Sequence, residues 1–513
     1  MFAYISRRIG ISLAILFGSS FLVYNLEAYS GDPLQDLRTS TSPSAKTLLH
    51  DLIRTLHLNI PAPARYFIWL KGVLKVFTGH IDLGVNRQGT SIPTELSVAV
   101  PTTIRLVIAA TVLAIVLGIA IGIISALRQY SRFDYAMILV SFFLFSLPIF
   151  WVAVLLKQFL AISFNNFLSN GHIGFGFIVV MSIAAGFFWA GVISGTRKRV
   201  IQIFFGVGIA NAILLWTLSV TKWFTHPRLG IEGVFIFGLA IAYAMTQLST
   251  GLENKASFKA ALSMAIVGTI LYFPAEHILH AHGSFLMLFI FAVVTFGVGV
   301  INGRLWAKVD RAPIVRTSVL TAFFVAFVIF IDELMHNWIH YVNTDAVNGR
   351  PIPTLGQSNN QIQPGHFWYT IIDDLTHLLL PTVALTLISF ASYVRYSRGS
   401  MLEVLNQDYI RTARAKGLTE RTIIMRHAFR NTLIPITTII VLDFAAIIGG
   451  AIITETVFGW TGMGKLFVQA IENFDENLLM ATFLITSLLT LLANLLADLL
   501  YSVLDPRIRV GGN

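Results

Sequence analysis

Thr102-Thr-Ile-Arg-Leu-Val-Ile-Ala-Ala-Thr-Val-Leu-Ala-Ile-Val-Leu-Gly-Ile-Ala-Ile-Gly-Ile-Ile-Ser-Ala-Leu127 holds one charged side chain, Arg105, and no proline. A helix of this length, rising about 1.5 Å per residue, exceeds the roughly 30 Å hydrocarbon thickness of a bilayer. Comparable runs recur near 9–29, 136–163, 173–194, 200–221, 231–249, 259–275, 284–302, 315–335, 375–396, 431–453 and 478–503. The shortest of these, 259–275, meets Pro274 near its end. Composition agrees: 55% of the 513 residues are apolar and 12% charged, with a mean hydropathy of +0.74. So few charges cannot clothe a water-soluble chain of this size, which excludes disorder, coiled coil and a soluble enzyme. The expected fold class is all-α, a polytopic membrane protein of about twelve transmembrane helices.

Basic residues set the expected topology. With a cytoplasmic N-terminus, the inner loops carry Arg128 and Arg132, Arg197 to Arg199, Lys255 and Lys259, and Arg304, Lys308, Arg311 and Arg316. The cluster from Arg398 to Arg430 and the closing Arg507 and Arg509 continue the series, so both termini are expected inside. The short outer loops carry few: Lys222 and Arg228 in one, none in 276–283, and Arg350 in the last long one. Arg7 and Arg8 precede the first run, and no small-residue cleavage site follows it, so it reads as a retained anchor. The net charge of +10 is thereby a matter of topology, and no nucleic-acid partner is expected. There is no cysteine, which removes disulfides and thiolate chemistry.

Two polar outer segments, 30–101 and 336–374, are long enough to fold on the membrane surface. The longest inner segment, 397–430, is different. Leu402 to Gly417 is rich in helix formers and closed by glycine, and a second short helical stretch runs from Thr419 to Phe429. Small alanines between basic residues suit a protein docking surface. An ordinary basic loop needed only for topology would have the same composition.

Asp408-Tyr-Ile-Arg-Thr-Ala-Arg-Ala-Lys-Gly-Leu418, with His427-Ala-Phe-Arg-Asn-Thr-Leu-Ile-Pro435, resembles the signature loop of ABC importer permeases. More narrowly, the chain is similar to the first permease subunit of the dipeptide/oligopeptide/nickel family. Tyr4-Ile-Ser-Arg-Arg8, Gly31-Asp-Pro33, Ile81-Asp-Leu-Gly84, Leu379-Leu-Pro381, Glu455-Thr-Val-Phe458, Gly462-Met-Gly464 and Leu504-Asp-Pro-Arg-Ile-Arg509 carry the same resemblance in order. It implies a six-helix permease core in two parts, 1–164 and 346–513, interrupted by a six-span module at 165–345. It also implies that Ala413, Ala415 and Gly417 face a cleft on a cytoplasmic ATPase, flanked by Asp408, Tyr409, Arg411, Arg414 and His427, with Asn431 and Pro435 leading into the next span. A second homologous permease, two ATPase subunits that bind ATP and Mg, and an extracytoplasmic binding protein are the implied partners. The chain itself is then no enzyme and binds no cofactor. Peptide is the expected cargo. Nickel or another small solute, a sensor, or a carrier working through the inserted helices are the other readings.

Other residues were weighed for chemistry. Gly459-Trp-Thr-Gly-Met-Gly-Lys465 has the spacing of a phosphate-binding loop, but Leu466 stands where a magnesium-binding Ser or Thr is needed, and no strand precedes it. The family resemblance reads the same glycines as an outer turn near a gate, with Glu455, Phe458, Gly462 and Gly464. Asp443, near the middle of a span, costs at least about 2.5 kcal/mol unless it meets water or a partner, and so reads as a pathway residue or a buried hydrogen bond. Lys157 is a candidate partner for it. His277, His280, His336 and His340 are metal-ligand types at the outer ends of inserted spans, with Glu333, His336 and His340 spaced for one helical face. An interfacial polar rim is the preferred reading of these histidines.

Overall fold

The computed structural model describes residues 2–193, 195–307, 311–362 and 365–504. Lys308, Arg507, Arg509 and most of the closing motif after Leu504 lie outside the described residues. Among the described residues ten helices are long and apolar enough to cross a membrane: Ser6–Ala28, Ile92–Leu127, Ile149–Asn170, Phe175–Ile193, Arg197–Val220, Gly230–Ser249, Phe285–Trp306, Arg311–Val342, Phe367–Leu405 and Glu476–Leu495. Lys255–Ile270 and Tyr272–Ala281, bent by 52° at Leu271, make an eleventh if counted as one span. The remaining expected run, 431–453, corresponds to helix Phe429–Gly450. Among the described residues the chain is all-α, apart from one isolated bridge between Val85 and Ser91.

Several boundaries differ from the sequence reading. The run 136–163 is two helices, Arg132–Ser146 and Ile149–Asn170, because Pro148 forces Leu147 into extended backbone (ψ 127°). The run 259–275 breaks at Leu271, and Pro274 sits in the first turn of Tyr272–Ala281, where its missing N–H costs nothing. The outer segment 336–374 is largely helical at both ends, since Arg311–Val342 runs into it and Phe367–Leu405 begins within it.

The chain divides into two units. The first comprises 1–161, 354–357 and 377–513, and the second 162–353 and 358–376. In the first unit, the helices Ile92–Leu127 and Phe367–Leu405 touch where Gly118 and Gly122 leave no side chain in the way of Tyr393 and Ser397. The Ser397 hydroxyl donates across this seam to the carbonyl of Gly118 (3.1 Å). Small residues four apart are what apolar helices need in lipid, where only close packing and polar bonds hold them together. Toward the segment 30–101, Tyr24, Tyr66, Trp69 and Met480 form a buried cluster. Beside it, the Arg65 guanidinium meets Glu476 at 2.8 Å, both nearly inaccessible.

The second unit repeats the device. Gly299 and Gly303 lie against the backbone of Val319 and Val315. Asn302, buried between them, donates to the Ala260 carbonyl and the Ser318 hydroxyl, each at 2.8 Å.

Candidate functional site

Helix Phe367–Leu405 extends beyond the expected end of its span and stops at Asn406-Gln407. Gln407 is extended, and a separate helix, Asp408–Ala415, follows. Ile410 and Ala413, three residues apart, share one face and pack against Ala126, Met401, Ile423 and Ala428. The other faces leave Asp408, Tyr409, Arg411, Thr412, Arg414 and Ala415 exposed. Gly417, with φ at +75°, ends the helix in the left-handed conformation that glycine adopts without strain. This corrects one expectation: Ala413 does not face outward with Ala415 and Gly417, because a small apolar residue three from Ile410 belongs to the buried stripe.

The exposed helix is held at both ends. Arg414 Nε donates to Glu420 Oε1 (2.9 Å). The Tyr409 hydroxyl accepts from Asn431 Nδ2 (3.0 Å), and the same amide reaches the His427 carbonyl (2.9 Å). The stretch read as a second short helix is instead one turn, Glu420–Thr422, continuing through the wider-wound Ile423–Ala428 into Phe429–Gly450, which contains Pro435.

Beneath the loop lies an ion pair that the sequence reading did not single out. Arg398 donates in a fork to Asp134, Nε to Oδ1 at 2.6 Å and Nη2 to Oδ2 at 2.8 Å. Ser125 Oγ and the Tyr130 amide also donate to this carboxylate. Burial pushes the Asp134 carboxyl upward, but Arg398, Ser125 and the Tyr130 amide outweigh it and hold the group below the ordinary carboxylate range. Three helices, Ile92–Leu127, Arg132–Ser146 and Phe367–Leu405, are thereby pinned where the loop begins.

The turn at 451–472 is built around another carboxylate. Helix Ile452–Phe458 ends at Gly459 (φ +69°), and Gly462 starts helix Met463–Glu472. Glu455, wholly buried, accepts from the Thr103 hydroxyl (2.6 Å) and the Lys465 amide (3.0 Å). Thr103 in turn accepts from the Met463 amide (2.8 Å). Burial raises the Glu455 carboxyl above its ordinary range, against these hydrogen bonds. Gly462 is bare because a Cβ there would strike the Glu455 carboxylate, and Gly464 because one would strike Ile452. The apparent phosphate loop therefore already holds a carboxyl group of its own at the N-terminal end of helix Met463–Glu472. Phe458 is buried, and its carbonyl accepts from the Gly356 amide (2.8 Å). Arg105 lies over the Trp460 ring at 5.2 Å.

Lys157 is not the partner of Asp443. Its ammonium donates to the Val457 carbonyl and lies 5.2 Å from the centre of the Phe458 ring, so it braces the same turn. Asp443 is half-buried and faces Tyr393.

In the second unit, His280 Nδ1 lies 3.0 Å from Glu333 Oε1, and its ring stands edge-on to His336 at 5.2 Å. The two histidine groups thus meet through these residues, while His277 and His340 are exposed. Neighbouring Asp332 accepts from the Leu229 amide (2.6 Å) and the Tyr272 hydroxyl (2.6 Å). Among the described residues no three His, Asp or Glu side chains are grouped to hold a metal ion.

The described residues thus make a many-helix membrane chain that presents a short amphipathic helix from a basic loop. A family model described as binding-protein-dependent transport system inner membrane component matches residues 261–510. The matched stretch begins inside the module read as 165–345. The chain is similar to the oligopeptide transport system permease protein OppB of Mycobacterium tuberculosis (strain ATCC 25618 / H37Rv), 39% identical over 188 residues, 37% of this chain and 55% of the relative. To the dipeptide transport system permease protein DppB of Escherichia coli (strain K12) it is 46% identical over 138 residues, 27% of this chain and 41% of the relative. To the oligopeptide transport system permease protein AppB of Bacillus subtilis (strain 168) it is 41% identical over 140 residues, 27% and 44% respectively. The chain spans about half the length of the curated relatives it matches.

Proposed function

We propose that this chain is one membrane-spanning subunit of an ATP-driven importer, forming half of a pathway for di- or oligopeptides. The observation that carries this reading is the seating of Asp408–Ala415: one face is locked into the chain's own core, and the other offers Tyr409, Arg411, Arg414 and Ala415 outward. A helix anchored in this way moves as one piece with the spans beneath it. Two cytoplasmic ATPase subunits, binding ATP and Mg, close and push it; Arg398 and Asp134 pass the displacement to three helices. A second homologous permease completes the pathway, and an extracytoplasmic binding protein delivers cargo to 30–101 and the outer part of 336–374. Both termini lie on the cytoplasmic side, as the alternation of basic loops supports. The related permeases are named for oligopeptide and dipeptide transport, which supports peptide as the cargo.

The test is uptake of labelled di- to hexapeptides into proteoliposomes holding the assembled complex, with wild type compared with Gly417→Asp. ATP-dependent uptake abolished in the variant, with assembly intact, is the expected result. Uptake persisting without ATP, or with the loop broken, would overturn the proposal.

A further inference from the structure

The second unit contains a cavity of about 300 Å³ lined entirely by apolar groups and one threonine. Its floor is Met264, Gly268, Ala322 and Val325, all buried. Its mouth is formed by exposed Leu271, Ile278 and Val294. The opening exists because the chain bends by 52° between Lys255–Ile270 and Tyr272–Ala281. An unbent helix would carry the residues after Ile270 onward along the original axis. The bend swings them aside and leaves a gap in the half of the unit nearest the turn 282–284.

We infer that this cavity is a binding site for one acyl chain of a membrane phospholipid, in the leaflet nearest residues 282–284. Water finds no hydrogen-bond partners on such walls, and an apolar void left empty forfeits the dispersion contacts of its lining. The mouth is continuous with the apolar surface that these spans turn to the bilayer, where Ile270, Phe273, Phe289 and Val293 are exposed. The adjoining solvent is therefore hydrocarbon, and a lipid tail enters from it without leaving an apolar medium. A straight chain fits a cleft that opens sideways between two helices, and its head stays at the level of the turn.

The test uses the full chain in nanodiscs of phosphatidylethanolamine and phosphatidylglycerol containing a trace of phospholipid with a diazirine in one acyl chain. After illumination, labelled peptides are mapped by mass spectrometry. Label concentrated at Met264, Gly268 and Val325, which no bulk lipid reaches, is the expected outcome. Filling the cavity with Ala326→Phe should remove most of that label, because the ring occupies the space the chain would take. Val293→Phe, on the outward surface, should leave it unchanged. Label confined to exposed Phe289 and Val293 in the wild-type chain would overturn the inference without recourse to any variant. So would interior label that survives Ala326→Phe.

Discussion

Asp134 and Arg398 stand 264 positions apart and meet in a two-pronged ion pair. Removing one partner strands the other, so Asp134→Ala should cost about 3 kcal/mol, and pairing it with Arg398→Met should restore most of the loss. Thermal unfolding of the detergent-solubilised chain measures both. The sign of the pH effect follows from the depressed carboxyl. A group whose folded value lies below its unfolded one contributes fully above the unfolded value, about 3.9, and loses its contribution as pH falls through the folded one. The melting difference between wild type and Asp134→Asn should thus be flat from about pH 5 to 8 and close only in stronger acid. Glu455 makes a second case at this scale. Gly462→Ala drives a methyl into its carboxylate, and a loss of about 2 kcal/mol is expected by the same measurement.

Helix Asp408–Ala415 separates stability from association within three residues. Ala413→Asp buries a charge against Ile410 and Met401 and should lower the melting temperature of the chain alone. Ala415→Asp lies on the exposed side; it should shift stability by no more than about 0.5 kcal/mol and, on the proposed function, instead weaken capture of the ATPase subunits in pull-down. Equal effects of both on melting would refute the assignment of faces. The sequence could not separate these alanines by composition, since a small apolar residue serves a core and a docking face equally well. It did reveal the spans, because some twenty apolar residues in a row have few other uses. The bend at Leu271 was hidden for the same reason: straight and broken apolar helices are composed alike. Pro148 was a visible signal for the other break. So were Gly118 and Gly122, which mark the seam with Tyr393 and Ser397. The Asp134–Arg398 pair left no local trace, being made by tertiary structure alone.

At the scale of the molecule, the absence of cysteine becomes a tool. Single cysteines introduced at Ala415 and His282 report on an otherwise silent background. The proposed orientation, with both termini cytoplasmic, predicts that a membrane-impermeant maleimide added to intact cells labels position 282 and spares position 415, and that inverted vesicles reverse the pattern. The second unit, 162–353 with 358–376, contributes an even number of crossings if the bent pair counts as one. Its presence therefore leaves the 397–430 loop on the side that the basic residues assign to it.

The carboxylate at the heart of the 451–472 turn can also be viewed as a tethered ligand. Glu455 is joined to Lys465, whose amide it accepts from, by a short stretch of its own chain, so its effective concentration there is on the order of millimolar or higher. Any free anion, nucleotide included, would have to displace a competitor that never diffuses away. The turn thus keeps the glycine spacing of a phosphate cradle while remaining self-occupied.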